Sequence, residues 1–232
     1  MSSIMQDIPV RNEELLNILN EYRDFLMNDV ESFQRDMHLQ CRESANNRSW
    51  WVGEAHLKEI MNQETRHEGF PDTILGYECS VHREGHEFFS REAHPIRRKE
   101  RTLELAQTSR RIMEWLNVRH NALTAFYPPG GFISWHNNAN AAAYNLIFTW
   151  SETGDGCFKY VDPITKEIVV MKDHEGWQCK ATYFGHYNEP ERLFYHAAET
   201  DCWRITVSFT FDTSEASSLL REDLLEEIAS NE

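Results

Sequence analysis

The chain has 232 residues, 41% of them apolar and 12% aromatic, and its 38 acidic against 23 basic side chains give a formal net charge of -15. That length suffices for one domain with a substantial core, or for a core domain with a helical extension. The acidic balance disfavours a protein that grips nucleic acid through non-specific phosphate contacts, because such affinity comes from Lys and Arg displacing counterions.

The first ten residues, Met1 to Val10, carry no basic region followed by an apolar run, so no signal peptide is expected. Nor does any stretch approach the roughly 18 apolar residues needed to span a bilayer. Five scattered cysteines (Cys41, Cys79, Cys157, Cys179 and Cys202) form no CxxC pair, which fits free thiols in a reducing compartment. The expectation is a soluble, cytoplasmic protein.

Residues 11–40 read as one amphipathic helix. Leu15, Leu19, Tyr22, Leu26, Val30, Phe33 and Met37 recur at steps of three and four, with Asn12 as the N-cap. The stripe is expected to pack on the rest of the domain rather than on a partner. Over 41–95 a short helix is expected at Ser49–Met61, strands at Ile74–Val81 and Glu87–Phe89, and Trp50 and Trp51 as core or rim aromatics. A clearer helix follows Pro95, with Leu105, Ile112 and Leu116 on one face and Asn117 at its end. The stripe Arg97-Arg98-Lys99 on this helix has its plainest reading as a solvated face.

From Asn121 the pattern changes to short β-like runs at 121–127, 132–136, 143–150, 156–161, 167–171, 178–184, 193–197 and 203–211. Turn signals separate them: Pro128-Pro129-Gly130-Gly131, Gly154-Asp155-Gly156 and Asp162-Pro163. Eight short strands so punctuated predict a sandwich or jelly-roll. The tail, 214–230, returns to helix through Leu220, Leu224 and Ile228. The expected fold is α+β: a double-stranded β-helix (jelly-roll) core at 121–211, a mainly helical region at 1–120 packed on it, and a short acidic C-terminal helix within 212–232.

Two stretches carry candidate chemistry. Tyr127-Pro128-Pro129-Gly130-Gly131 leads into a strand that ends in His136-Asn137-Asn138, and residues two apart on a strand share a face, so His136 and Asn138 can reach one metal ion. Phe194-Tyr195-His196 precedes a run that alternates strictly, with Ile205, Val207, Phe209 and Phe211 on one face and Arg204, Thr206, Ser208 and Thr210 on the other. A polar face beginning with an arginine is unusual on a jelly-roll strand unless it lines a cavity.

These stretches resemble the iron(II)/2-oxoglutarate-dependent oxygenases, in which a His-x-Asp pair on one strand and a distal His on a later strand form a facial triad. Tyr127, Pro129, Gly130 and His136 match the AlkB-like and prolyl-hydroxylase-like pattern in spacing. Trp135-His136-Asn137-Asn138-Ala139-Asn140, followed by Tyr144-Asn145-Leu146-Ile147-Phe148, looks like phage-type members. The resemblance spans 121–211, and the first 110 residues carry no motif of the family. It implies Fe(II), 2-oxoglutarate and O2 as cofactor and cosubstrates, with ascorbate as a candidate reductant. It implies His136, Asn138 and His196 as metal ligands and Arg204 as the partner of the far 2-oxoglutarate carboxylate, to which a planar guanidinium is suited. Thr206, Ser208 and Tyr127 are candidate hydrogen-bond partners of the cosubstrate. The implied reaction hydroxylates a protein side chain or a small molecule with release of succinate and CO2.

Asn138 departs from the family, which has Asp or Glu there. Two imidazoles and an amide leave the full +2 charge of iron uncompensated, where a carboxylate would leave +1. Asn138 can ligate through its carbonyl oxygen, Asn140 or water can complete the site, a halide can take the place as in halogenases, or the iron is lost. The last reading makes the chain a catalytically silent jelly-roll binding protein. A cupin-like metal protein without 2-oxoglutarate would need further ligands, for which His174 and His186 are candidates although both look like loop residues. Peptide or small-molecule partners fit the charge better than nucleic acid, no membrane partner is expected, and the sequence fixes no oligomeric state.

Overall fold

A computed structural model of the protein describes residues 4–28, 30–31, 39–40, 47–62, 71–79, 95–118, 121–138 and 141–231. Near the N-terminus, strand β1 (Gln6–Pro9) precedes helix α1 (Glu13–Met27). The Asn12 side chain caps that helix, accepting a hydrogen bond from the Leu15 N–H at 3.0 Å, and Glu13 and Glu14 in the first turn complement the helix dipole. Helix α1 reaches its C-cap at Asn28, helical backbone recurs at Val30 and Glu31, and Leu39–Gln40, at the far end of the helix expected over 11–40, form strand β2 instead. Phe33 and Met37 lie outside the described residues.

The helix expected at 49–61 is two segments, α2 (Arg48–Trp51) and α3 (Glu54–Asn62), broken at Val52-Gly53. Strand β3 (Ile74–Glu78) follows, and the strand expected at Glu87–Phe89 lies outside the described residues. Helix α4 (Pro95–Trp115) ends as expected, with Asn117 in the left-handed region at φ 53 and the Val118 N–H donating to the Met113 carbonyl at 2.9 Å. The side chains of Arg97-Arg98-Lys99 are outside the described set.

The eight strands of the core are β4 (Asn121–Tyr127), β5 (Phe132–His136), β6 (Ala143–Ser151), β7 (Gly156–Val161), β8 (Ile168–Lys172), β9 (Gly176–Phe184), β10 (His196–Thr200) and β11 (Arg204–Phe211). Their pairing is that of one long antiparallel hairpin wrapped on itself. The outermost strands pair first, β4 with β11, and the others follow inward: β5 with β10, β6 with β9, and β7 with β8. Further pairs β6 with β11 and β7 with β10 complete two sheets, β9-β6-β11-β4 and β5-β10-β7-β8. This is a double-stranded β-helix, the jelly-roll arrangement.

The N-terminal region adds to both sheets. β1 extends the large sheet along β9, and β3 pairs with β4 through Tyr77 and Glu78 and with β5 through Ile74 and Leu75, bridging the corner between the sheets. At that bridge the backbone of Gly76 lies against Tyr127, where a Cβ would come within 2.9 Å of the ring. In the Pro128-Pro129-Gly130-Gly131 turn, Gly130 takes φ +84, which favours glycine, and its N–H donates to the Thr200 carbonyl at 2.9 Å, docking the turn on the end of β10.

Helices α1, α4 and α5 (Glu215–Ala229) cover the outer face of the large sheet. Their buried Leu19, Tyr22, Leu105, Ile112 and Ile228 share one core with Phe148, Ile205 and Phe209 from the strands. On the small sheet, α3 contributes Leu57 and Ile60 to a second layer with Phe132 and Trp135. Trp135 therefore packs, as does Trp203, which stacks on Phe126 at 4.8 Å; Trp50 is rim-exposed. No helix among the described residues is long and apolar enough to cross a membrane.

Candidate active site

Three neighbouring strands of the large sheet alternate in the same phase. Leu146, Phe148, Cys179, Ala181, Ile205 and Val207 face the helices, while Asn145, Thr149, Gln178, Lys180, Arg204 and Thr206 face into the barrel, every one of them buried. The ladder aligns them in rows: Thr206 with Thr149 and Gln178, and Ser208 with Ile147 and Lys180. A buried polar face is costly unless each group is bonded, so this inner face should be spanned by a hydrogen-bond network.

The network centres on Arg204. Its Nε donates to Asp173 Oδ2 at 2.7 Å, its Nη1 to Thr206 Oγ1 at 2.6 Å, and its Nη2 more weakly to Thr149 Oγ1 at 3.5 Å. Lys180, reaching down from two positions along β9, donates to Gln178 Oε1 at 2.8 Å and to Asp173 Oδ1 at 3.5 Å. Asp173 is fixed where β8 ends, its N–H donating to the Gly156 carbonyl at 2.9 Å. Burial alone would raise the Asp173 carboxyl above its usual range, but the charges of Arg204 and Lys180 outweigh it and hold the group below that range. Lys180 is pushed below the usual amine range, by burial first and by Arg204 also, with Asp173 opposing.

The second group is a histidine pair. His196, the first residue of β10, is the cross-strand partner of His136, the last of β5, and their ring centroids stand 4.1 Å apart. His136 Nδ1 donates to the Ser134 carbonyl at 2.8 Å and His196 Nδ1 to the Phe194 carbonyl at 3.2 Å. A proton committed to Nδ1 on each neutral ring puts the lone pair on Nε2, the tautomer that a metal-ligating histidine needs. Burial holds the His196 imidazolium well below the ordinary histidine range, and His136 beside it acts in the same direction, so this ring is a neutral donor at physiological pH. Phe184, Phe158 and Phe194 surround His196 with ring centroids at 4.6, 5.8 and 5.9 Å, an apolar collar around the imidazole.

The distal histidine enters at a different place in its strand than expected. The strand expected at 193–197 begins only at His196, because Phe194 is a packing residue, stacked on Phe184 at 4.8 Å and Tyr160 at 5.0 Å. On the proximal side, β5 ends at His136, so strand alternation is not what sets Asn138. Asn138 lies two residues past the ladder, half-buried, its carbonyl accepting from the Ala141 N–H at 2.8 Å. Its neighbour Asn137 is the more buried amide and hydrogen-bonds the Tyr195 phenol.

Of the other expected site residues, Tyr127 faces into the barrel opposite Arg204, with the guanidinium carbon 5.8 Å from its ring centroid. Thr206 meets Arg204 directly. Ser208 is engaged elsewhere, its hydroxyl accepting from the Leu123 N–H at 3.0 Å. His174 and His186 are loop residues, bonded to the Glu175 carbonyl and the Asn188 N–H, and Asn140 is outside the described residues. The sequence reading missed Lys180 and Asp173. Lys180 was detectable, since Gln178, Lys180 and Thr182 alternate with Trp177, Cys179 and Ala181 as on β11; Asp173, in a loop, gave no such signal.

The donor set suits the groups in question: two imidazoles offer Nε2 from adjacent strands, and a guanidinium lines the same barrel. No protein-family model and no curated relative matches the chain. Among solved structures it is similar to a Pseudomonas putida prolyl-4-hydroxylase, at 11% identity over 92% of this chain and 94% of that one, with a TM-score of 0.38. It is also similar to a viral collagen prolyl hydroxylase from Paramecium bursaria Chlorella virus-1, at 11% identity over 90% and 96% with a TM-score of 0.34. A rice dioxygenase for auxin oxidation gives 11% identity over 92% and 75% with a TM-score of 0.32. The fold assignment stands on the strand order and pairing themselves.

Proposed function

We infer that the protein is an iron(II)/2-oxoglutarate-dependent oxygenase that hydroxylates a protein side chain or a small molecule with release of succinate and CO2. The observation that carries the reading is the buried pair His136 and His196, brought together by the β5–β10 ladder, each with Nδ1 bonded to a backbone carbonyl. In this reading His136, His196 and Asn138 hold the iron. Bound iron and 2-oxoglutarate supply the oxidising chemistry when O2 is present. Arg204 and Thr206 anchor the far carboxylate of the cosubstrate, Tyr127 closes one side of its slot, and the phenylalanines give His196 its apolar surroundings. An amide oxygen is an ordinary ligand for hard cations. The net charge of -15 favours a peptide or small-molecule substrate over nucleic acid.

Asn138, with no carboxylate in its place, favours one second reading, a silent jelly-roll that binds a ligand or protein. The test is to mix the protein with iron(II) and 2-oxoglutarate without oxygen and to look for the weak visible charge-transfer band of a chelated keto acid. The oxygenase reading expects the band, and its loss in His136→Ala and His196→Ala. A protein that takes up no iron and gives no band is the silent form.

A further inference from the structure

The cluster around Arg204 holds one more positive charge than negative. Arg204, Lys180 and Asp173 have side-chain exposures of 2%, 1% and 0%, and a buried charge without a partner is strongly penalised. Their bonds are also uneven. A guanidinium has five N–H groups and an ammonium three. The described bonds use three on Arg204, one of them long, and two on Lys180, the one to Asp173 at the 3.5 Å limit. Two cations on different strands, β9 and β11, therefore converge on one carboxylate with donors to spare. An additional anionic oxygen between them would neutralise the surplus charge. The cluster's buried polar surroundings, Thr149, Thr206 and Gln178, supply no charge, and the other acid that acts on Lys180, Asp7 across from it on β1, is exposed to solvent.

We propose that Lys180 is a second cosubstrate-binding cation: with Arg204 it forms a two-pronged slot for the distal carboxylate of a 2-oxo dicarboxylic acid, and Asp173 is the positioning carboxylate that holds both prongs. The proposal rests on the oxygenase reading for the identity of the ligand, but not for the existence of the slot. Asp173 has two effects. It orients Arg204 through the Nε bond, and it competes with the incoming carboxylate for both cations, so the resting site is weaker for anions than two bare cations would be.

The probe that separates slot from metal is glutarate, which has the distal carboxylate but no keto acid to chelate iron, titrated calorimetrically into metal-free protein. Lys180→Met should weaken glutarate binding about tenfold to a hundredfold, the size of one charge-assisted hydrogen bond. Asp173→Asn should strengthen it, an effect that a purely structural carboxylate would not produce. The double variant Asp173→Asn/Lys180→Met keeps the cluster's surplus of one positive charge, so it tests the Lys180 donor apart from net charge: it should bind more tightly than Lys180→Met, because Arg204 is freed of its competitor, but about tenfold to a hundredfold more weakly than Asp173→Asn. In the iron(II) complex, Lys180→Met should weaken 2-oxoglutarate while leaving 2-oxobutyrate, which lacks the distal carboxylate, unchanged. Wild-type affinity for glutarate in both Lys180 variants overturns the proposal. If the iron complex still forms its charge-transfer band in that case, the oxygenase reading survives. Glutarate binding that needs Lys180 in a protein that takes up no iron would retain the slot and remove the oxygenase.

Discussion

Replacing Asp173 with Asn should be strongly destabilising although the change is near-isosteric. The side chain is 0% exposed and faces Arg204 at 2.7 Å and Lys180 at 3.5 Å. Asn keeps the shape and one acceptor but leaves two buried cations facing each other. Opposite charges about 4 Å apart interact by about 4 kcal/mol at an effective dielectric near 20, and breaking one side of a buried pair costs roughly 3–5 kcal/mol in measured cases. For a chain of 232 residues, where 1 kcal/mol moves the melting temperature by about 2–4 °C, the fall should be about 10 °C. Thermal unfolding followed by circular dichroism at pH 7 measures it. The pH dependence supplies the control. Because the folded-state carboxyl of Asp173 is held below its usual range, its contribution is full above the unfolded value of about 4 and is lost as pH falls through the folded value. The gap between wild type and Asp173→Asn should therefore be constant near neutrality and close in acid. A fall of under about 3 °C at pH 7, or a gap that persists unchanged into strong acid, would refute the electrostatic account of the cluster.

Other perturbations address the remaining parts. On the proposed oxygenase reading, Arg204→Ala should cost roughly 3–5 kcal/mol in 2-oxoglutarate affinity, because it would leave a buried carboxylate unpaired, with much less effect on iron; equal 2-oxoglutarate affinity in competition titrations would remove Arg204 from the slot. Asn138→Asp should tighten iron(II) binding if the amide is a ligand, as measured with a chelator of known affinity, and unchanged affinity would set residue 138 apart from the metal. Asn12→Ala should lower stability by about 1 kcal/mol through loss of the bond to the Leu15 N–H, whereas Asn12→Gly should cost only a few tenths; denaturant melts with equal midpoints for Ala and wild type would discount the cap.

Legibility in the sequence followed local periodicity. The two-residue alternation of β11 was visible because one face had to be apolar against helices and the other was not, and it announced Arg204 and Thr206 as inward residues; the same alternation on β9 carries Lys180 but was not read. The turn residues Pro128-Pro129-Gly130-Gly131 fixed where β4 gives way to β5. Periodicity misled where an apolar run was recruited for packing rather than pairing, as at Phe194, and where a helix expected to run to residue 40 gives way to strand at Leu39–Gln40.

By itself, then, the sequence determined the approximate extent of most core strands, the inward and outward faces of β11, the Asn12 cap and the residue types available for chemistry, because each depends on neighbours within a few positions along the chain. Tertiary structure decided which of those residues meet. His136 and His196 are 60 positions apart and touch only because β5 pairs with β10. Ser208 spends its hydroxyl on Leu123, 85 positions away, and Arg204 finds Asp173, 31 positions away, in a loop that carries no periodic signal. Those pairings are set by the register of long-range ladders, and register is a property of the closed barrel rather than of any one segment.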